Sequence, residues 1–266
     1  MKDESLAFLR GDLRYLGFER RVYLSEQLDK ELATDHKEFR LTAETFFDED
    51  HRLELTLHFR RSDNLEMCFL NKYEARLDPG KEPDKERFQT FYVNKGKGVT
   101  LKEAYNLLQG RAVNKDLTNA EGQKYNAWIQ LNFEEKDGTG NYKVRQYRQQ
   151  YGYDLEKTLE KYPILELNNE ELKANLLRSL KRGNMHPVSF GKIAKVEKML
   201  IEANPQFKTI NIHPTGVKIV RRESGLFKEG EGEGLFKEGE REGKEIKEED
   251  PELPAVRKTM KKTVIK

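Results

Sequence analysis

Apolar residues near the start of the chain recur at spacings of three, four and eight, as Leu6, Leu9, Leu13, Leu16, Leu24 and Leu28. Such spacing keeps one face of a helix apolar, so an amphipathic helix or a helical pair is expected over residues 5–32, with Gly11 and Gly17 as places for a break. From Phe39 the period becomes two. Phe39, Leu41 and Ala43 alternate with polar residues, and Leu53, Leu55, Leu57 and Phe59 do so again. A strand with one buried and one wet face reads this way. "FFDEDHR" supplies a turn between the two runs, which predicts an antiparallel hairpin over 39–59. Further strands are expected over 66–77 and 88–93, joined by "DPGKEPDKE", an exposed loop by its prolines, glycine and charges.

The stretch "VNKGKGVTLKEAYNLLQGRAVNK" sets glycines and lysines before a helical pattern. Thr100 and Glu103 form T-x-x-E, the capping box in which each side chain satisfies an N–H at the helix start. Leu101, Ala104, Tyr105 and Leu108 share one face, and Gly110 stands where a left-handed C-terminal cap belongs, so the helix is expected over 101–109. A phosphate-binding loop would need lysine directly after its last glycine; Gly98 is followed by Val99, and Lys95 and Lys97 read as a solvated turn. Beyond it come a strand near Ala112, a turn at "DLTNAEGQK", a strand over 126–133 with Ala127, Ile129, Leu131 and Phe133 on one face, the turn "EEKDGTGN", and a strand from Tyr142. A similar order follows: a helix over 170–181 capped by Asn169, then Gly183, a strand through Val188 and Phe190, and another around Met199. This is a degenerate repeat of helix, glycine, strand, strand. "HPTG" is expected as a hairpin turn, with 217–220 closing the folded part.

The fold class read from these patterns is α+β: antiparallel sheets with packed helices, the degenerate repeat, and a disordered C-terminal tail. Three regions are expected: 1–92, a helical start with an antiparallel meander; 93–220, the repeated region; and 221–266, the tail. In the tail "GLFKEGEGE" (225–233) is followed by "GLFKEGERE" (234–242), a tandem duplication too short and too charged to form solenoid units. Residues 222–250 hold 11 acids and 6 bases, net −5, whereas 255–266 hold 5 bases and no acids. That basic end, with Arg257, Lys258, Lys261 and Lys262, suits either nucleic acid or the acidic stretch before it.

Composition changes this picture little. Charged residues make up 36% and hydrophobic ones 36%, so part of the chain is expected to stay outside any core, and a net charge of +2 points to no particular partner. Cys68 is the only cysteine, which excludes an internal disulfide and a cysteine zinc cage and fits a reducing cytoplasm. The opening "MKDESLAFLRGDLRYLGF" has acids and arginines where a signal sequence needs an apolar core, and no stretch approaches membrane-spanning length. Neither membrane contact nor a cofactor is expected.

"GRAVNKDL", "YNAWIQLNF" and "EANPQFK" are the most distinctive stretches. With their surroundings, over roughly residues 6–220, the chain resembles a family of uncharacterised Bacteroidetes proteins, a domain of unknown function found on conjugative transposons and plasmids. The resemblance implies a mobile genetic element as setting and establishes no catalytic residue. The duplicated tail lies outside it.

No constellation fixes an activity. His36, His51, His58, His186 and His213 never share metal-ligand spacing on one element. "HFRR" at 58–61 matches the H-x-x-R fragment of tyrosine recombinases but lies on an alternating strand rather than a helix. The stretch whose residue types suit a function is "NYKVRQYRQQYGY". As a continuous strand it would put Lys143, Arg145, Tyr147, Gln149 and Tyr151 on one face, cations for phosphates beside rings for stacking. Alternatively Tyr142 and Val144 face a core and the other face is merely wet. Trp128 reads as packing or, by its opposite pleat phase, as part of a binding surface. The expected function is that of a non-enzymatic accessory protein contacting single-stranded or duplex DNA, or a protein partner. A DNA-processing enzyme with a dispersed site and an adaptor or antagonist of a host system are the alternatives, and the oligomeric state is open.

Overall fold

The computed structural model describes residues 2–19, 24–48, 51–63, 67–78, 80, 86–93, 98–192 and 195–215. Helix α1 spans Lys2–Leu16 and α2 spans Ser25–Ala33. Gly11 does not break α1. Its surroundings are open, and a glycine inside a helix costs only about 1 kcal/mol. The break falls at Gly17, whose φ of 85° lets the Phe18 N–H reach back to the Leu13 carbonyl.

The alternating runs form a four-stranded antiparallel sheet in the order β1 (Glu38–Phe46), β2 (Arg52–Arg61), β3 (Cys68–Asp78), β4 (Arg87–Tyr92). Phe39 sits opposite Phe59, with the rings stacked at 4.8 Å. One face buries Leu41, Leu53, Leu55, Leu57 and Leu77 against leucines of α1 and α2. The other carries charges that neutralise one another, as where Arg52 meets Glu44, Glu54 and Asp78.

Helix α3 (Leu101–Leu108) starts in the full capping box of Thr100 and Glu103. Behind it come β5 (Val113–Thr118), β6 (Lys124–Lys136) and β7 (Tyr142–Arg148), a meander in that order. The reversal between β5 and β6 is shorter than "DLTNAEGQK" suggested. Asp116, Leu117 and Thr118 remain paired with β6, held by side-chain bonds from Asn126 to Asn114 and Asp116. The start of β7 is clipped to the first sheet: the Tyr142 N–H donates to Gln89 Oε1 at 2.8 Å and the Thr90 N–H to Asn141 Oδ1 at 2.7 Å.

A 3₁₀ turn (Gln149–Tyr151), α4 (Leu155–Leu159) and a second 3₁₀ turn (Leu165–Asn168) lead to α5 (Glu170–Lys181), capped by Asn169. A third sheet follows, in the order β10 (Thr209–Pro214), β9 (Lys195–Asn204), β8 (His186–Lys192). Of "HPTG", His213 and Pro214 still belong to β10, opposite Leu200 and Met199, and Thr215 is in a turn. Gly216, and with it the expected hairpin, lies outside the described residues, and β9 and β10 are joined by a separate reversal over 205–208. Proline is tolerated because β10 is an edge strand, where a missing N–H need break no ladder bond. Residues 217–220, Lys95, Lys97 and the expected disordered tail over 221–266 lie outside the described residues.

The repeat is visible in its helix ends. Arg111 N–H donates to the Asn106 carbonyl and Gly110 N–H to that of Leu107; Asn184 N–H donates to the Ser179 carbonyl and Gly183 N–H to that of Leu180. These are two Schellman caps, with φ of 77° at Gly110 and 76° at Gly183, and each precedes a three-stranded meander rather than two strands. The caps meet: the buried Asn106 amide donates to the Arg182 carbonyl at 2.7 Å and to Asn184 Oδ1 at 2.9 Å.

Two buried clusters result. The first joins the four-stranded sheet, α1 to α3 and residues such as Val113, Ile129 and Leu131; the second joins Trp128, Tyr147, α4, α5 and the third sheet. Strand β6 therefore serves both through alternate residues. Trp128 is packing, edge-on to Tyr153 at 5.5 Å.

Candidate nucleic-acid interface

Among the described residues strand β7 pairs only with β6 and so forms one edge of the middle sheet. Lys143, Arg145 and Tyr147 share a pleat opposite Asn132, Gln130 and Trp128. Gln149 and Tyr151 do not continue it. The chain leaves the strand at Arg148, turns through Gln149–Tyr151 and is closed by Gly152 at φ 80°. The period of two persists in the sequence, yet distant partners divert the backbone. The Tyr151 hydroxyl donates to the Gln206 carbonyl at 2.8 Å, and the Tyr153 hydroxyl to the Thr209 carbonyl at 3.0 Å.

On the pleat itself the cations are already paired. Lys143 Nζ lies 2.8 Å from Glu135, and Arg145 contacts Glu134 at 3.1 Å and Asn132 Oδ1 at 2.7 Å. The hydrogen bond and attraction between Lys143 and Glu135 hold the lysine above and the carboxyl below its ordinary range. Tyr147 is only 9% exposed, with its ring 5.0 Å from that of Tyr151. Burial pushes the Tyr147 hydroxyl up, against the opposing pull of the Arg145 cation. On the opposite pleat Tyr142 is buried but Val144 is 45% exposed, so neither face is uniformly wet or dry.

The accessible chemistry lies beyond the strand, where the turn at Gln149–Tyr151 meets the β9–β10 reversal. Phe207 is 60% exposed and Tyr151 38%. Lys208 Nζ stands 4.7 Å from the centre of the Tyr151 ring. Its backbone has φ 53°, and among the described residues no other non-glycine has a positive φ. The reversal is closed by Lys208 N–H to the Pro205 carbonyl and Phe207 N–H to Asn204 Oδ1. Neither stretch, 145–153 or 203–210, contains an acid. The neighbouring Asp154 accepts from the Lys157 N–H at the start of α4. On the reverse pleat the exposed Arg148 lies over the Tyr125 ring at 4.4 Å. A cation above a ring is stabilised by the ring's negative face. Gln149 and Gln150, which precede Tyr151 in the turn, are exposed.

Phe207, Lys208 and the Arg148–Tyr125 pair were not singled out from sequence. Their signal was "EANPQFK", a tight turn with lysine where glycine or asparagine would sit without strain. Arg257, Lys258, Lys261 and Lys262 lie outside the described residues. Histidines are held elsewhere: His58 faces Glu74 at 3.0 Å, and His51 faces Asp48, which also accepts from the Tyr105 hydroxyl and so ties the β1–β2 reversal to α3. Among the described residues no three His, Cys, Asp or Glu side chains are grouped to hold a metal, and no helix is long and apolar enough to cross a membrane. No family model, curated protein or solved structure matches the chain.

Proposed function

We propose that the chain is a non-enzymatic binding protein that contacts nucleic acid through the two-turn patch at the end of β7. On the family resemblance, that role would serve a mobile genetic element. The observation that supports it is the pairing of an exposed Phe207 with a lysine held over Tyr151, in two turns free of acids. Rings for stacking beside cations for phosphates are the parts a sequence-tolerant nucleic-acid contact uses. The pleat contributes less than its composition suggested, because Glu135 and Glu134 already neutralise Lys143 and Arg145.

This division makes a salt test discriminating. With Lys208 as the contacting cation of the patch, binding to a labelled single strand should weaken with a log–log salt slope of about −0.7, against about −2.1 if Lys143 and Arg145 joined it. Fluorescence anisotropy on the full chain measures it. Replacing Lys143 and Arg145 by Ala should leave the slope unchanged. A slope lost only when Arg257, Lys258, Lys261 and Lys262 are all changed to Gln would assign the contact to the tail. Absence of salt-sensitive binding would remove nucleic acid as the partner.

A further inference from the structure

We infer that the patch takes unpaired bases, one of which stacks on Phe207 while Lys208 contacts the adjoining phosphate, so that its ligand is a single strand and not a duplex. The inference rests on the nucleic-acid reading above and narrows it. In a duplex the faces of the bases are already stacked on one another, and a protein meets phosphates and groove edges instead. The patch offers little for those. It is made of two reversing turns, Gln149–Tyr151 and 205–208, and the helix that follows the first is the five-residue α4.

What it does offer is ring surface. The Tyr151 ring already carries Lys208, and the Tyr125 ring carries Arg148. Tyr147 and Trp128 are buried in the second core. Phe207 is the most exposed ring of the patch and, among the described residues, takes part in no ring or cation contact. An exposed ring of this kind gains most from a flat partner, and every base has such a face. The backbone arrangement points the same way. A non-glycine residue in the left-handed region is strained, and at Lys208 that conformation accompanies a cation directly after the stacking ring. Gln149 and Gln150 can bond base edges without demanding one sequence.

The test uses the full-length protein and an oligothymidine carrying a single 2-aminopurine, whose fluorescence is quenched on stacking. The same oligomer annealed to its complement and inorganic polyphosphate serve as comparisons. Wild type should quench the single strand and bind it more tightly than the duplex. Phe207→Leu keeps apolar bulk but removes the flat ring, and should weaken single-strand binding roughly 5- to 150-fold, the range of one stacked base, without changing polyphosphate binding. Lys208→Gly should reduce the salt slope by about 0.7. Near-ultraviolet circular dichroism of each variant should match wild type. Equal affinity for duplex and single strand, or wild-type binding by Phe207→Leu, would overturn the single-strand inference and leave the nucleic-acid reading standing. Failure of wild type to bind either oligomer at low salt would remove both.

Discussion

Substituting Gly183 by Ala tests how the two repeat units are joined. Two costs add at this position. The backbone sits at φ 76°, where a Cβ is penalised by about 1 kcal/mol. That Cβ would also lie 2.8 Å from the Ala112 carbonyl oxygen, 2.9 Å from Val113 Cγ2 and 3.2 Å from Asn106 Cβ. One of these is backbone, and the others belong to buried residues that cannot swing aside, so an overpacking cost of about 1–3 kcal/mol is expected. The sum is about 2–4 kcal/mol, or a melting temperature lower by roughly 5–15 °C for a fold of this size. Gly122→Ala is the control. It has φ 81° with nothing within 4 Å of the added carbon, so it should cost only about 1 kcal/mol. Urea unfolding followed by the fluorescence of Trp128, the single tryptophan, reads both. Equal destabilisation by the two substitutions would show that the close approach of Gly183 to Ala112 and Val113 does not exist in solution.

Other consequences follow from local contacts. Thr100→Ala removes half of the capping box of α3 and should cost about 1 kcal/mol in the same urea experiment, with Thr100→Ser recovering most of it. Arg61 donates to the carbonyls of His36, Leu32 and Thr34 at the end of α2, so Arg61→Ala should cost about 2–3 kcal/mol, and a loss below 0.5 kcal/mol, roughly the effect of an ordinary surface change, would contradict that role. Burial above all pushes the hydroxyls of Tyr73, Tyr105 and Tyr153 well up, with Glu103 and Asp48 adding to the first two. Unfolding returns them to about 10, so stability is whole below that pH and falls above it by about 1.4 kcal/mol per pH unit for each tyrosine. Tyrosinate absorbance should therefore rise together with unfolding, and gradual ionisation of all tyrosines in a folded chain would refute it.

The parts of this protein legible in sequence are those set by short-range physics. Phe39 to Phe59 could be read as a hairpin because alternation and a polar turn act within a few residues. Thr100 with Glu103, Asn169, Gly110 and Gly183 marked helix ends because caps bond to backbone groups three to five residues away. Even the repeat was visible as an order of such signals. Tertiary structure decided what depends on distant partners. Strand β6 is buried on both faces, so its alternation did not tell that Trp128 enters a second core. An irregularity in pairing between Asn132 and Lys136 helps set Glu134 and Glu135 beside Arg145 and Lys143, and no local pattern carries that register. Gln149 and Tyr151 left the expected pleat because tyrosine hydroxyls bond carbonyls more than fifty residues onward, at Gln206 and Thr209. Those two bonds, with the packing of the second core, bring Tyr151 against Phe207 and Lys208. A residue's type can announce stacking or charge, but whether it is exposed, paired or buried is set by which segments the fold brings against it.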